Sequence, residues 1–176
     1  VGGAIFADGN ITLKPNASGN EIVFRDNQAV SDGAAIHLNR VNKTLLLDYT
    51  SGGQVKVYDN INIINGSSLV QRGNGTTTIR AWTHGGSNAQ IESGRLILGA
   101  AVTMPDTITG AMSTYSAGRL TGQNITIGTA GGSGAIVDIY DGAKLEAGLN
   151  ITGGGLLTIK DHNTINVYGS GSINLA

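Results

Sequence analysis

The carboxylates are the residues of this 176-residue chain best suited to acid and base chemistry. Glycoside cleavage needs two positioned carboxyl groups, and a calcium site needs several oxygen ligands close together. Here no two of the nine Asp are adjacent, and the three Glu lie far apart. Because folding can unite distant carboxylates, Asp26, Asp59 and Asp138 remain candidates, but we expect no catalytic residue.

The histidines and glycine-rich segments show no spacing typical of a metal or phosphate site. His37 lies in a predicted strand, His84 in Thr-His-Gly-Gly and His162 in a predicted turn. Gly131 to Gly134 precedes no helix and lacks the Lys-Ser/Thr of a phosphate loop, so we interpret it as a turn. Without cysteine the chain has neither disulfides nor thiolate ligands. The sequence therefore predicts no metal and no cofactor.

Asparagine offers a different chemistry, because Asn-x-Ser/Thr is the acceptor sequence for N-glycosylation. The chain has seven such sequons, whereas its composition alone would give about three. The alternative is that Asn is simply favoured in turns that precede Thr-rich strands. The possible glycosylation sites are Asn10, Asn16, Asn42, Asn65, Asn74, Asn124 and Asn150.

Composition and patterning predict the elements that would carry these residues. The chain has 28 Gly and only 13% charged residues, and a net charge of −1 argues against nucleic acid as a partner. Apolar runs of three to six residues alternate with Gly, Asn, Asp and Ser, which is typical of many short strands. The first two predicted strands are Ile11–Leu13 and Glu21–Phe24, and none is predicted at 65–76, 83–89 or 141–155. No apolar run approaches the 18 residues of a membrane helix, so we expect no membrane insertion by this segment.

Two all-β architectures fit this pattern, an antiparallel sandwich and a parallel solenoid. Asn-Gly and Asp-Gly dipeptides favour hairpins and hence the sandwich. Similar segments at Gly94–Leu98, Gly155–Ile159 and Gly171–Leu175 favour the solenoid, because stacked coils would place them in apolar ladders. We therefore predict a solenoid of seven or eight coils of roughly 20 to 25 residues. We expect Met104 to Tyr115 to bulge from one coil and Ala111–Leu120 to be a loop or a short helix.

The N-terminal third contains a recurring motif, Gly-Gly-Ala-Ile followed by Phe-x-x-Asn and then by a degenerate copy. The motif residues are Gly2, Gly3, Ala4, Ile5, Phe24, Asn27, Gly33, Ala34, Ala35 and Ile36. We expect Phe24 to pack in the solenoid interior and Asn27 to be a buried or half-buried turn residue whose side-chain amide binds backbone. This arrangement resembles the repeats of chlamydial polymorphic outer membrane proteins and related autotransporter passengers. Val57–Ile61 is similar to the element that often follows such repeats, although Asn60 stands where Pro is usual.

The resemblance implies a right-handed parallel β-helix, exported to the bacterial cell surface and associated with adhesion and self-association. We expect residues 1–176 to be a single solenoid segment of a longer extracellular passenger. Its partners would be more solenoid at both ends, as the same chain continued or as identical copies, and a host-surface receptor. The alternative is a truncated carbohydrate-active enzyme of the pectate lyase or polygalacturonase kind, since those enzymes share the β-helix.

Overall fold

The computed structural model describes residues 4–15, 17–28, 35–129, 134–148, 156–160 and 163–175. Within these ranges the chain forms 21 short strands and no helix. The strands are β1 (Ile5–Ala7), β2 (Ile11–Leu13), β3 (Glu21–Phe24), β4 (Ile36–Leu38), β5 (Thr44–Tyr49), β6 (Gln54–Val57), β7 (Ile61–Ile63), β8 (Ser68–Gly73), β9 (Thr76–Ile79), β10 (Trp82–Gly85), β11 (Asn88–Ile91), β12 (Gly94–Leu98), β13 (Val102–Pro105), β14 (Met112–Tyr115), β15 (Arg119–Gly122), β16 (Asn124–Ile127), β17 (Ala135–Ile139), β18 (Lys144–Ala147), β19 (Leu156–Ile159), β20 (Thr164–Val167) and β21 (Ser172–Leu175).

The strands wind through three parallel sheets, each coil giving one strand to each sheet. The first sheet has the order β1-β4-β7-β10-β15-β18-β21, the second β2-β5-β8-β11-β16-β19 and the third β3-β6-β9-β12-β17-β20. Neighbouring strands within each sheet pair parallel. The architecture is a parallel β-helix, which confirms the predicted solenoid and overturns the antiparallel sandwich.

The core consists of ladders of apolar side chains that run along the axis of the solenoid. In the third sheet, Val57, Ile79, Leu98 and Ile139 are in register on successive coils, and all four are buried. Full burial of such a side chain contributes about 1.5–3 kcal/mol relative to exposure. Because side chains alternate between the two faces of a strand, a slip of one residue would expose the whole ladder, so the core specifies the register.

Coil length varies more than we predicted. The residues Ile36 and Ile61 are in register 25 positions apart, whereas Ile5 and Ile36 are 31 apart. The described residues therefore make six three-stranded coils and the single strand β21 of a seventh, at the lower limit of the predicted number. Longer corners account for the difference, together with an insertion between β12 and β15.

That insertion is an antiparallel hairpin of β13 and β14, in which Val102 pairs with Tyr115. At its base the amide of Gly118 donates to the carbonyl of Gly99 at 2.8 Å, so the chain leaves the solenoid and returns at one place. The predicted bulge is confirmed. The loop or helix expected for Ala111–Leu120 is wrong in detail, because β14 and the start of β15 occupy it.

Two sequence signals have a different meaning in the structure. The segment Gly94–Leu98 forms β12 in the third sheet. The two segments similar to it contain β19 in the second sheet and β21 in the first, so the three segments do not stack on one another. Among the described residues, dipeptides such as Asn65-Gly66 and Asp141-Gly142 form corners between parallel strands. Gly66 and Gly142 take φ values of +86° and +73° there, a left-handed conformation that favours glycine.

Candidate functional sites

The two copies of the Ala-Ile motif stack directly on each other. Ile5 of β1 is in register with Ile36 of β4, and the amide of Ile5 donates to the carbonyl of Ala35 at 3.0 Å. Ile36 is fully buried and Ile5 half-buried, since Ile5 lies on the first coil. The motif residues Gly2, Gly3, Gly33 and Ala34 lie outside the described residues, and Ala4 is exposed just before β1.

The Phe-x-x-Asn motif joins the first coil to the second. Phe24 ends β3 and packs in the core with 6% of its surface exposed, as expected. Asn27 is half-buried, and its backbone amide and Nδ2 both donate to Oδ2 of Asp59, at 3.0 and 2.8 Å. We expected the Asn27 side chain to bind backbone, but its Nδ2 reaches the Arg25 carbonyl only at 3.5 Å. A carboxylate on the next coil is its main partner, which sequence spacing alone does not reveal.

Asp26 binds the hairpin to the first coil. Its φ of +61° is in the left-handed region and turns its carboxylate toward the hairpin tip, where it accepts from the Thr107 amide at 2.7 Å. The hydroxyls of Thr107 and Tyr115 donate to the same carboxylate, and the Arg25 guanidinium is 3.3 Å away. Burial favours a raised pKa for Asp26, but these hydrogen bonds outweigh it and lower the pKa to about 2.

Further contacts hold the hairpin against the early coils. Burial and the hydrogen bond to Asp26 raise the pKa of Tyr115 to about 12. The Tyr115 ring packs edge-on against Tyr58, with ring centroids 5.2 Å apart, and Arg25 Nη1 lies 2.9 Å from the sulfur of Met104. The candidate carboxylates Asp26 and Asp59 are therefore both engaged in structural contacts.

The third candidate, Asp138, is fully buried although it lies on the outer face of β17. Arg95 Nε donates to its Oδ2 at 2.5 Å, and Asn166 Nδ2 donates to its Oδ1 at 2.8 Å. The hydrogen bond and charge of Asp138 in turn raise the pKa of Arg95. Both carboxylate oxygens thus have a partner on an adjacent coil.

Glu146 on the first sheet repeats this arrangement. Arg119 of the preceding coil donates to its Oε2, and Asn174 of the following coil donates to its Oε1 at 3.1 Å. In both places the Asn is the register partner of the acid on the following coil. The Arg on the preceding coil is in register with the residue two positions before the acid. The sequence signal is Arg, acid and Asn on three successive coils. Because the coils differ in length, the spacing between the Arg and the acid differs between the two places, and the sequence alone does not reveal the signal.

The histidines have separate structural surroundings. His84 Nδ1 lies 2.6 Å from the carbonyl of Ile63, and the His37 ring stacks on Phe6 with centroids 5.4 Å apart. His162 lies outside the described residues. Across the described ranges no group of three or more His, Cys, Asp or Glu residues is placed to hold a metal ion.

The sequons that the structure describes lie at corners and strand starts. Asn10, Asn42, Asn65 and Asn74 are exposed, whereas Asn124 is half-buried and its Nδ2 donates to Asn88 Oδ1 at 3.3 Å. Asn16 and Asn150 lie outside the described residues. Four of the seven sequons therefore present accessible amides, and their glycosylation stays a prediction.

The last coil leaves core-facing side chains uncovered. Ile159, Val167 and Ile173 are 51%, 48% and 37% exposed. Their register partners one coil earlier are fully or almost fully buried; these partners are Ile127, Ile139 and Leu145. The strands β19, β20 and β21 are also the outermost of their sheets, so each has one edge that no described strand pairs with. At the first coil the core-facing Ile5, Ile11 and Ile22 are only half-buried.

Comparison with family models, with curated proteins and with solved structures gave no match for this chain. The part of the chain that the structure describes contains no helix long and apolar enough to cross a membrane. The resemblance to autotransporter repeats therefore stays a prediction that depends on the motif residues themselves.

Proposed function

We propose that this chain is a non-enzymatic rod segment of an extracellular bacterial surface protein, acting in adhesion, in self-association or in both. The observation that carries the proposal is the uncovered last coil. Its exposed Ile159, Val167 and Ile173 are in register with residues that are buried on the preceding coil, where a further coil covers them. A further coil of the same kind is the partner that would cover them and pair the three open strand edges.

The covering coil belongs to more solenoid, either the same chain continued or an identical copy stacked end to end. Such head-to-tail contact does not close on itself and so extends the rod. A longer rod presents repeated lateral faces, which suit weak multivalent contact with a host-surface receptor or a sister molecule. Nothing in the charge distribution favours nucleic acid, since seven of the cations are ion-paired with carboxylates.

The bonding of the carboxylates supports a structural rather than an enzymatic role. Asp138 and Glu146 have both oxygens bonded, and Asp26 anchors the hairpin. Arginine and asparagine occupy the oxygens of Asp138 and Glu146, so these oxygens are engaged by the protein itself rather than left for a substrate. A truncated carbohydrate-active enzyme remains the alternative, and it requires carboxylates that face substrate.

The proposal is tested by measuring mass against concentration with multi-angle light scattering or sedimentation. We expect the mass of the unmodified chain to rise with concentration up to the high micromolar range. Val167→Lys places a charge on the uncovered coil and should keep the chain monomeric. Ile136→Lys is the matched control, because Ile136 is 37% exposed on a lateral face and should not affect stacking.

Two results would contradict end-to-end stacking. One is a monodisperse monomer of the unmodified chain at high micromolar concentration. The other is assembly that Ile136→Lys abolishes and Val167→Lys leaves intact, which would assign self-association to the lateral face.

A further inference from the structure

One ladder on the outer surface of the solenoid lacks a side chain in the middle. The residues that directly follow the third-sheet strands continue the parallel hydrogen bonding from coil to coil. In order they are Arg25, Tyr58, Arg80, Gly99, Tyr140 and Tyr168. Gly99 therefore leaves an open position between Arg80 and Tyr140.

A cavity of about 290 Å³ occupies this position. Its lining consists of Thr78, Arg80, Ile97, Gly99, Ala100 and Tyr140. The volume is near the lower limit of ligand pockets, which are roughly 300–1,000 Å³, so the cavity suits a small molecule. The cavity lies beside the base of the hairpin, which begins just after Ala100.

Arg80 gives the cavity an uncompensated positive charge. Every other arginine of the chain forms an ion pair, but Arg80 forms none with any described residue. Its Nη1 donates only to the carbonyl of Ala100, and the side chain is half-buried. The guanidinium lies over Gly99, where an added Cβ would come within 3.0 Å of Arg80 Cζ.

The neighbouring charges do not neutralise Arg80. Asp138 lies beside Ile97 in register, but Arg95 and Asn166 occupy both of its oxygens. Lys56 lies beside Thr78 in register and pairs with Glu21 at 2.6 Å. Each of these pairs has no net charge, so the positive charge of Arg80 remains and the cavity favours an anion. A half-buried guanidinium is the group best suited to bind a carboxylate.

Tyr140 and Ile97 supply an apolar surface beside this charge. The Tyr140 ring stacks on Tyr168 of the following coil, with centroids 4.8 Å apart and planes 16° from parallel. Tyr168 thus covers one face of the ring, and Tyr140 also lines the cavity together with Gly99. An aromatic face of this kind packs against a second ring or against the C–H face of a sugar.

We propose that this cavity binds a small carboxylate that carries a ring, with the carboxylate on Arg80 and the ring against Tyr140. The inference is independent of end-to-end stacking, because the cavity lies on a lateral face. Two sources share this chemistry, an aromatic acid and an acidic monosaccharide.

The test is a titration of the ¹⁵N-labelled chain at constant ionic strength, followed by the amide resonances of Gly99, Ala100 and Tyr140. The probes are benzoate and glucuronate, each with its neutral counterpart, benzamide and glucose. We expect saturable shifts with at least one acid, and at least about tenfold weaker binding of its neutral counterpart, which lacks the charge-assisted bond. Binding of benzoate alone would identify an aromatic acid, and binding of glucuronate alone an acidic sugar.

Variants test the assignment to Arg80. Arg80→Gln should weaken binding about tenfold or more, whereas Arg80→Lys should retain part of it because the charge remains. Arg40→Gln is the matched control, since Arg40 is exposed and pairs with Asp8 elsewhere. If Arg80→Gln does not fold, Gly99→Ala serves instead, because its Cβ displaces the guanidinium and should abolish binding. The proposal is overturned if neither acid gives saturable shifts, if the neutral compounds bind equally well, or if Arg40→Gln and Arg80→Gln behave alike.

Discussion

Two core-facing threonines have opposite surroundings. Thr83 is fully buried between Ile61 and Leu120 of the adjacent coils, and within the described chain its hydroxyl has no hydrogen-bond partner. Thr77 is also buried, but its hydroxyl accepts from Tyr49 at 2.6 Å and donates to Gln71 Oε1 at 2.7 Å. The same residue type is therefore a defect in one ladder and part of a polar network in another.

We predict that Thr83→Val raises the free energy of unfolding by about 1–3 kcal/mol, the cost of a buried polar group without a partner. Valine has nearly the shape of threonine, so the substitution leaves the packing unchanged. Thr77→Val is the control and should lower the free energy of unfolding, because Tyr49 and Gln71 each lose a partner. Urea unfolding monitored by circular dichroism measures both. Destabilisation by Thr83→Val would mean that its hydroxyl has a partner in solution.

At the scale of elements, alternation of apolar and polar residues predicted strands well. The bounds of β2 and β3 agree with the sequence prediction, because their core-facing residues are apolar. The strands β8 and β10 were missed, since polar Gln71 and Thr83 face the core there and interrupt the alternation. Lys144 and Glu146 obscured β18, because charged residues are unfavourable in strands unless they are paired.

Sheet membership and long-range contacts were beyond sequence reasoning. Strands of all three sheets share the same alternation, so similar segments could not be assigned to one ladder. The contact of Asp26 with Thr107 joins residues 81 positions apart and depends on the direction in which the hairpin folds back. The sequence identifies Asp26 as a candidate for catalysis, but only the structure shows that Asp26 anchors the hairpin.

The hairpin anchor has a defined pH dependence. The pKa of Asp26 is about 2 in the folded chain against an ordinary value of 3.8. The stabilisation is therefore complete above about pH 5 and is lost as the pH falls through about 2, where the folded state also binds the proton. Asp26→Asn retains a residue that tolerates the left-handed conformation and removes the charge.

We predict that Asp26→Asn lowers the free energy of unfolding by about 1–3 kcal/mol at neutral pH, and that the difference narrows between about pH 5 and pH 2. Asp8→Asn should have little effect, because Asp8 makes only exposed contacts within the described chain, an ion pair with Arg40 at 3.7 Å and a hydrogen bond from Asn39 Nδ2 at 3.3 Å. Replacing residues 101–116 by Asn-Gly should preserve the β-helix, because Gly99 and Gly118 are already hydrogen-bonded. In that background Asp26→Asn should cost nothing. A cost that persists there, or one independent of pH, would show that Asp26 acts on the first coil itself.

At the scale of the whole molecule, the solenoid places two of its buried carboxylates on different sheets. Asp138 lies on the third sheet and Glu146 on the first, each between an arginine and an asparagine. Acid and base catalysis of glycoside cleavage needs two carboxyl groups on either side of one bond, within roughly 10 Å of each other. The positions of Asp138 and Glu146 on different sheets therefore support the proposed non-enzymatic role.

We therefore predict that the purified chain releases no reducing ends and no unsaturated products from pectin, polygalacturonate or chitin, with or without calcium. The assay needs a matched pair of variants, because a trace contaminant would imitate weak activity. Asp138→Asn and Glu146→Gln remove the charges of two buried carboxylates, each held between an arginine and an asparagine. A calcium-dependent release of unsaturated product that is lost in either variant would establish a lyase and contradict the rod. Activity that is equal in all three proteins would show that neither Asp138 nor Glu146 carries it.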